Sequence, residues 1–221
     1  YDGSSNFADN HKWGFFPSGA FKWNMKQEKF LRRVKDVDEL SLRLSAGLTG
    51  NDAISTYRSL EAYTSSTGGY MFGGTQPTAY YINRIQNPDL TWEKTFLANV
   101  GVDLSVLKGR LKFTLEGYMS YTTDLLLSVQ IPQTTGFNSR FTNLGRTTNS
   151  GVELTIDSRN IDTKDFAWTT TFTISHNRQM VEDIGHENYV ATLESWGNSK
   201  YMMYGYRKGY PLNSLWGFEY A

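Results

Sequence analysis

The residues able to do chemistry are few and scattered. The three histidines, His11, His176 and His186, stand far apart in sequence. His186-Glu187 lacks the second histidine with which a zincin helix holds its metal. No G-x-S-x-G elbow and no phosphate-cradling P-loop occurs. There is no cysteine, which removes disulfide frameworks and thiolate metal sites while leaving the compartment open. Asp89 and Glu93 lie on either side of Trp92, a grouping that suggests a glycosidase carboxylate pair. Asp89 fits the Asn87-Pro88-Asp89 turn better, because Asn and Asp side chains bond their own backbone in turns. The sequence therefore predicts no catalytic residue, no metal site and no cofactor, and the chain reads as a non-enzyme.

Aromatic residues outside the regular elements are more suggestive. Tyr57, Tyr63, Tyr70, Tyr80, Tyr81, Trp196, Tyr201, Tyr204 and Tyr206 all fall in irregular stretches. Their flat, amphipathic rings suit sugar faces or peptide backbones, offering apolar area with one polar handle. A different role, as rings at a membrane interface, suits Trp92, Tyr118, Tyr121 and Trp168 near strand ends. Charged candidates form a second set: Asp103, Lys112, Glu116, Glu153 and Asp157 occupy the polar positions of alternating segments. They would point into the water of a barrel lumen, as wall or plug contacts or as contacts to cargo.

The elements that position these residues follow from alternation. In Thr91–Leu127 the even positions Phe96, Ala98, Val100, Val102, Leu104 and Val106 are apolar, against Asn99, Gly101, Asp103 and Ser105. This is the period of a strand with one greasy and one wet face. Across Lys108-Gly109-Arg110 the parity flips to Leu111, Phe113, Leu115, Met119 and Tyr121 against Lys112, Thr114, Glu116, Ser120 and Thr122. Two such runs around a short glycine-containing turn make an antiparallel hairpin. If Leu111–Leu127 is continuously extended it reaches roughly 55 Å, whereas a membrane-spanning strand needs only about 9–11 residues.

Other segments repeat the pattern. Phe15–Trp23 alternates weakly, with Pro17 marking a strand start or an edge. Leu40–Gly50 is a strand, and Val152–Ile156 pairs with Phe166–His176 across Arg159–Asp165. Asn24 with Gln27 resembles a capping box, and Phe30, Leu31, Val34 and Val37 follow at helical spacing, predicting a short helix over Gln27–Val34. Its basic residues read as a solvated face. Asn51–Pro88, Ser128–Asn149 and Arg178–Ala221 are expected as long loops, functional on length alone. Short connections thus fall on one side and long ones on the other, the asymmetry of a porin-like barrel.

Bulk properties agree without deciding. Of 221 residues, 22 are basic and 22 acidic, giving no electrostatic case for nucleic acid. Aromatics reach 15%, mean hydropathy is −0.49, and no apolar run approaches the ~18–20 residues of a membrane helix. Tyr1-Asp2-Gly3 follows no Met and no signal-peptide pattern, and Gly217–Ala221 carries no stop signal. The expectation is an internal stretch of a longer protein.

Several blocks together resemble a known family. They are Tyr1-Asp2-Gly3-Ser4-Ser5, Trp13-Gly14-Phe15-Phe16-Pro17-Ser18, Glu28-Lys29-Phe30-Leu31 and Leu42–Asn51 (LRLSAGLTGN). Asn87–Thr95 (NPDLTWEKT), Thr122–Leu127 (TTDLLL), Asn143-Leu144-Gly145, Asn149–Leu154 (NSGVEL) and Gly209-Tyr210-Pro211-Leu212 follow in order. In these the chain resembles the SusC/RagA-like TonB-dependent transporters of Bacteroidota outer membranes. The resemblance implies an all-β fold, an antiparallel transmembrane β-barrel segment. It would be part of a 22-stranded barrel, with long extracellular loops and one short helix. About six strands would lie in residues 1–221, with the plug, the TonB box and the final strands absent. It further implies an outer-membrane location, nutrient uptake of glycans or peptides, a SusD-like surface lipoprotein as lid, TonB as energy source, and the lipid bilayer as surroundings. Tyr57, Tyr63, Tyr70, Tyr80, Tyr81, Trp196, Tyr201 and Tyr204 become candidates for substrate or lid contact. A soluble β-rich carbohydrate-binding or adhesin module, and a β-fold glycosidase, remain the alternatives.

Overall fold

The structure, a computed structural model, describes residues 1–67, 71–185, 189–196, 199–212 and 214–215. The chain folds as two compact units. One comprises Tyr1–Phe16, Gly50–Lys94 and Thr123–Gly145, and the other Pro17–Thr49, Thr95–Thr122 and Arg146–Ala221.

The second unit is built on a six-stranded sheet. Its strands are β3 (Ser18–Asn24), β4 (Val37–Asn51), β7 (Glu93–Val106), β8 (Leu111–Thr123), β11 (Arg146–Asp162) and β12 (Ala167–Asp183). Their spatial order is β12-β11-β8-β7-β4-β3, so each strand lies beside its predecessor in this series and the sheet is open. Alternation in the sequence becomes segregation of faces through the register. Val152 pairs with His176, Leu154 with Ile174 and Ile156 with Phe172, while Glu153 meets Ser175, Thr155 meets Thr173 and Asp157 meets Thr171. At the other edge Phe21 lies opposite Leu44 and Trp23 opposite Leu42, with Lys22 opposite Arg43 between them. Because side chains alternate across a strand, a slip of one residue would turn every apolar group to the wrong face. Strands β11 and β12 have 17 residues each, roughly 56 Å if fully extended.

Short connections close one end of this sheet. β7 turns into β8 through Leu107, Lys108 and Gly109, all left-handed with φ of 57°, 58° and 74°. Two of these are not glycine, so the turn needs support. It receives it: the Gly109 N–H donates to the Asp38 carboxylate at 2.8 Å and the Leu107 N–H to the Asp36 carbonyl at 3.2 Å. Arg110 donates to the Asn160 carbonyl at 2.7 Å, tying this turn to the end of β11.

The helix expected over Gln27–Val34 does not form. A 3-10 turn at Met25–Gln27 is followed by Glu28 in extended conformation (φ −74°, ψ 149°) and then by isolated turns in which Leu31 and Arg32 donate to the Glu28 carbonyl. The Asn24 side chain makes no cap. Two turns of helix carry too little hydrogen bonding to repay nucleation. Here the Lys26 ammonium bonds the Leu31 and Val34 carbonyls instead. The unit is completed by β13 (Tyr189–Trp196), β14 (Ser199–Arg207) and β15 (Ser214–Leu215), a three-stranded sheet. Val181 and Ile184 are buried apolar residues of this unit, and the Val181 backbone is bonded by Gly209 and to Tyr210. The expected loop after Arg178 is therefore strand for much of its length.

In the first unit the expected loops contain two hairpins: β5 (Ala62–Thr67) with β6 (Thr78–Arg84), and β9 (Leu126–Gln130) with β10 (Ser139–Asn143). β1 (Asp2–Gly3) pairs with β2 (Trp13–Gly14). The uninterrupted arm Leu111–Leu127 is also not found. Asp124 adopts φ 57°, ending β8 at Thr123 and starting β9 two residues later. The core of this unit is Phe7, Leu90 and Trp92, with Phe16, Ile54, Leu126 and Phe141 packed against it. Trp92 is thus no interfacial ring. Its indole lies 5.4 Å from the Phe7 ring and 5.3 Å from Phe16 and donates to the Lys12 carbonyl.

Candidate functional site

The polar face of the six-stranded sheet gathers charges from separate strands. Arg43 on β4 reaches Asp103 on β7, with Nε at 2.8 Å and Nη2 at 3.0 Å, and the same Nη2 bonds Glu116 on β8. The bidentate fork to Asp103 matches guanidinium to carboxylate. Ser41 adds a hydroxyl donor to Asp103 at 3.1 Å, and Asn99 bonds Ser45. Farther along, Thr171 donates to Asp157 at 2.6 Å, and Thr155 meets Thr173 at 3.5 Å. Of the five charged candidates, Asp103 and Glu116 are brought together by Arg43. Asp157 is satisfied by a threonine, and Lys112 and Glu153 are exposed positions of β8 and β11. Arg43 is the organising residue that alternation alone did not single out, although its place among Leu42 and Leu44 marks it as a polar-face position. Tyr118 belongs here too, since a Cβ on Gly151 would strike its ring. It is not an outward girdle residue.

The opposite face is apolar and uncovered. Phe172 is 52% exposed, Ile174 56%, Val152 52%, Met119 49% and Val100 46%. Trp168 and Phe166 are likewise exposed near the short-turn end. Tyr121 accepts from Arg146 at 3.3 Å. Contiguous exposed apolar surfaces are rare on monomeric water-soluble domains and mark interaction surfaces.

Loop aromatics are placed individually. In the β5–β6 hairpin Tyr63 lies opposite Ile82 and Ser65 opposite Tyr80, so Tyr63, Tyr80 and Ile82 share one side and Tyr81 takes the other. All four are exposed. The Tyr63 hydroxyl donates to Glu61 at 2.9 Å, and that carboxylate raises the phenol above its ordinary pKa. Tyr57, exposed with φ 62°, gives its carbonyl to Arg84 at 2.7 Å and so anchors the hairpin base. Tyr70 lies outside the described residues. Trp196 ends β13, and Tyr201, Tyr204 and Tyr206 lie along β14.

The glycosidase pair does not assemble. The Asp89 N–H bonds the Asn87 side chain at 3.3 Å, making the expected turn. Both Glu93 oxygens are taken, one by Asn51 and the other by the Leu126 N–H. Among the described residues no group of three or more His, Asp or Glu is placed to hold a metal, and His186 lies outside them. The sequence blocks that carry the family resemblance instead build a hydrogen-bonded knot. Asn143 bonds Thr91 in both directions at 2.7 and 2.8 Å and also the Asp124 carbonyl. Asn87 bonds the Phe141 carbonyl, and Ser4 bonds Asp52 at 2.6 Å. These side chains hold irregular backbone together in place of a ladder.

Comparison with known proteins decides the family. The family described as TonB dependent receptor-like, beta-barrel matches residues 1–216. The chain belongs to the SusC/RagA-like TonB-dependent receptors. It is 35% identical over 234 residues to the TonB-dependent receptor SusC of Bacteroides thetaiotaomicron, covering 99% of this chain and 23% of that protein. It is 37% identical over 193 residues to TonB-dependent receptor P26 of Formosa agariphila, covering 86% of this chain and 19% of that protein. Among solved structures it resembles that of the RagAB peptide transporter, with a TM-score of 0.82 and 27% identity over 96% of this chain and 22% of that one. This receptor chain thus spans about a fifth of the length of its relatives.

Proposed function

We propose that the chain is part of the wall of an outer-membrane TonB-dependent active transporter that imports oligosaccharides or peptides beneath a SusD-like surface lipoprotein. The single observation that carries this reading is the six-stranded antiparallel sheet with one uncovered apolar face and one charged face. In a barrel the first meets acyl chains and the second, with Asp103, Lys112, Glu116, Glu153 and Asp157, meets the water-filled lumen. The kinship with SusC and the RagAB peptide transporter supports the transport role. The exposed rings Tyr63, Tyr80 and Tyr81 supply flat surfaces suited to cargo or lid, as do Trp196, Tyr201 and Tyr204 by residue type. TonB acts through the plug of the whole protein.

The test uses the full-length parent. It is expected in the outer-membrane fraction, extracted only by detergent, with migration on gels that changes on heating as a closed barrel's does. A deletion strain should lose growth on one class of glycan or peptide. A parent found in the aqueous fraction without detergent overturns the reading.

A further inference from the structure

The uncovered apolar face carries a groove that the wall function does not require. Its floor is Gly117 on β8, flanked by Val100, Met119 and Val152, and His176 and Arg178 of β12 line its side. A Cβ built on Gly117 would find Val100 Cγ1 at 3.4 Å and the Gly151 carbonyl at 4.0 Å. The depression therefore exists because a side chain is missing there, and the space above it is open. The parity of β12 puts His176 and Arg178 on the same face as Phe172 and Ile174, opposite Val152 and Ser150 of β11. Arg178 is exposed and makes no ion pair among the described residues. A cation on an otherwise apolar face needs an explanation.

Position along the strand supplies it. Arg178 is ten residues beyond Trp168, roughly 33 Å of strand and about 25 Å of depth at a tilt near 40°. That depth equals the height of the apolar band of an outer-membrane barrel, about 25 Å. With Trp168 at one interface, Arg178 stands at the other, at the end of the long connections, where headgroups lie. His176 is one step inside it. A guanidinium and an imidazole beside an apolar trough match an amphiphile whose phosphate sits on Arg178 with a bond from the imidazole and whose chain lies over Gly117.

We propose that this groove binds a phosphate-bearing lipid of the outer leaflet, its acyl chain in the Gly117 trough and its phosphate on Arg178 with His176. This rests on the reading of the apolar face as membrane-exposed. The test measures lipid retained by the detergent-purified full-length parent, by native mass spectrometry, using monophosphoryl lipid A and its dephosphorylated form as probes. The phosphorylated probe should be retained about tenfold better, as a charge-assisted bond to phosphate provides. Arg178→Gln should bring the two probes to parity. Gly117→Leu, which fills the trough, should lower retention of both, and Gly117→Ala should lower it less. Equal retention of the two probes by the unmodified protein, or unchanged retention in both Arg178→Gln and Gly117→Leu, overturns the proposal. Heat-dependent gel migration of the same samples separates the failures. A closed barrel without bound lipid defeats only the groove, whereas a parent that forms no barrel in detergent defeats the wall reading beneath it.

Discussion

Replacing Arg43 with methionine keeps the length of the side chain and removes the cation that joins Asp103 to Glu116. One nitrogen bonds both carboxylates, at 3.0 and 2.5 Å, so their oxygens lie within about 5.5 Å of each other. Unmasked, the two charges repel by about 0.8 kcal/mol in water and about 3 kcal/mol at an effective dielectric of 20. The side chains of Arg43, Asp103 and Glu116 are 39%, 24% and 42% exposed, so the value lies toward the lower limit. Charge-assisted bonds at such exposure add about 1 kcal/mol. The expected loss is about 2 kcal/mol, measured by denaturant unfolding of the full-length parent refolded into lipid vesicles. Asp103→Asn in the Arg43→Met background should recover about half of it, because one of the repelling charges is gone. If Arg43→Met leaves stability unchanged, or if the second substitution costs more than the first, the three residues are not an electrostatic unit and the reasoning fails.

Neighbouring residues of β12 provide a second contrast. Ile174→Arg places a charge in mid-band and should cost about 2–4 kcal/mol, whereas Thr173→Arg on the other face should cost under about 1 kcal/mol, by the same refolding assay. Trp92→Ala should cost about 3–5 kcal/mol in the first unit, read as early protease cleavage near residues 86–95, because it empties the space between Phe7 and Phe16. Asn143→Ala removes bonds to Thr91 and Asp124 and should cost about 2–3 kcal/mol by thermal unfolding, with Asn143→Asp recovering only the bond accepted from the Thr91 N–H. The Tyr63 phenol should titrate above its ordinary range, and Glu61→Gln should lower its pKa, followed by ultraviolet absorbance.

Alternation made the strands legible because a two-sided sheet needs it. Phe96–Val106, Leu111–Tyr121, Val152–Ile156 and Phe166–His176 all carry the pattern, and the structure extends rather than moves them. Where side chains do not segregate by face, the pattern is silent. Residues 62–66 of β5 and those of β6 are nowhere buried, only half-buried or exposed, so Tyr63, Tyr80 and Tyr81 read as loop although they pair in register. Asp124 broke the long arm through a left-handed backbone that its residue type permits but does not announce. For Trp92 and Tyr118, nearness to a strand end does not say which way a ring points. Apolar spacing over Gln27–Val34 is helical, yet no packed face is there to stabilise a helix. The charged candidates were visible one by one, but Arg43, which joins two of them, emerged only when three strands were laid side by side.

The central claim is that one face of the long strands meets lipid and the other meets water. Single cysteines placed from Trp168 to Arg178, in a full-length parent cleared of any other cysteine, can each carry a spin label after reconstitution. Oxygen, which concentrates in lipid, should broaden labels most at positions 172 and 174 and least at 171, 173 and 175. Labels at 172 and 174 shielded from oxygen, as in a sandwich of two stacked sheets, would contradict the account.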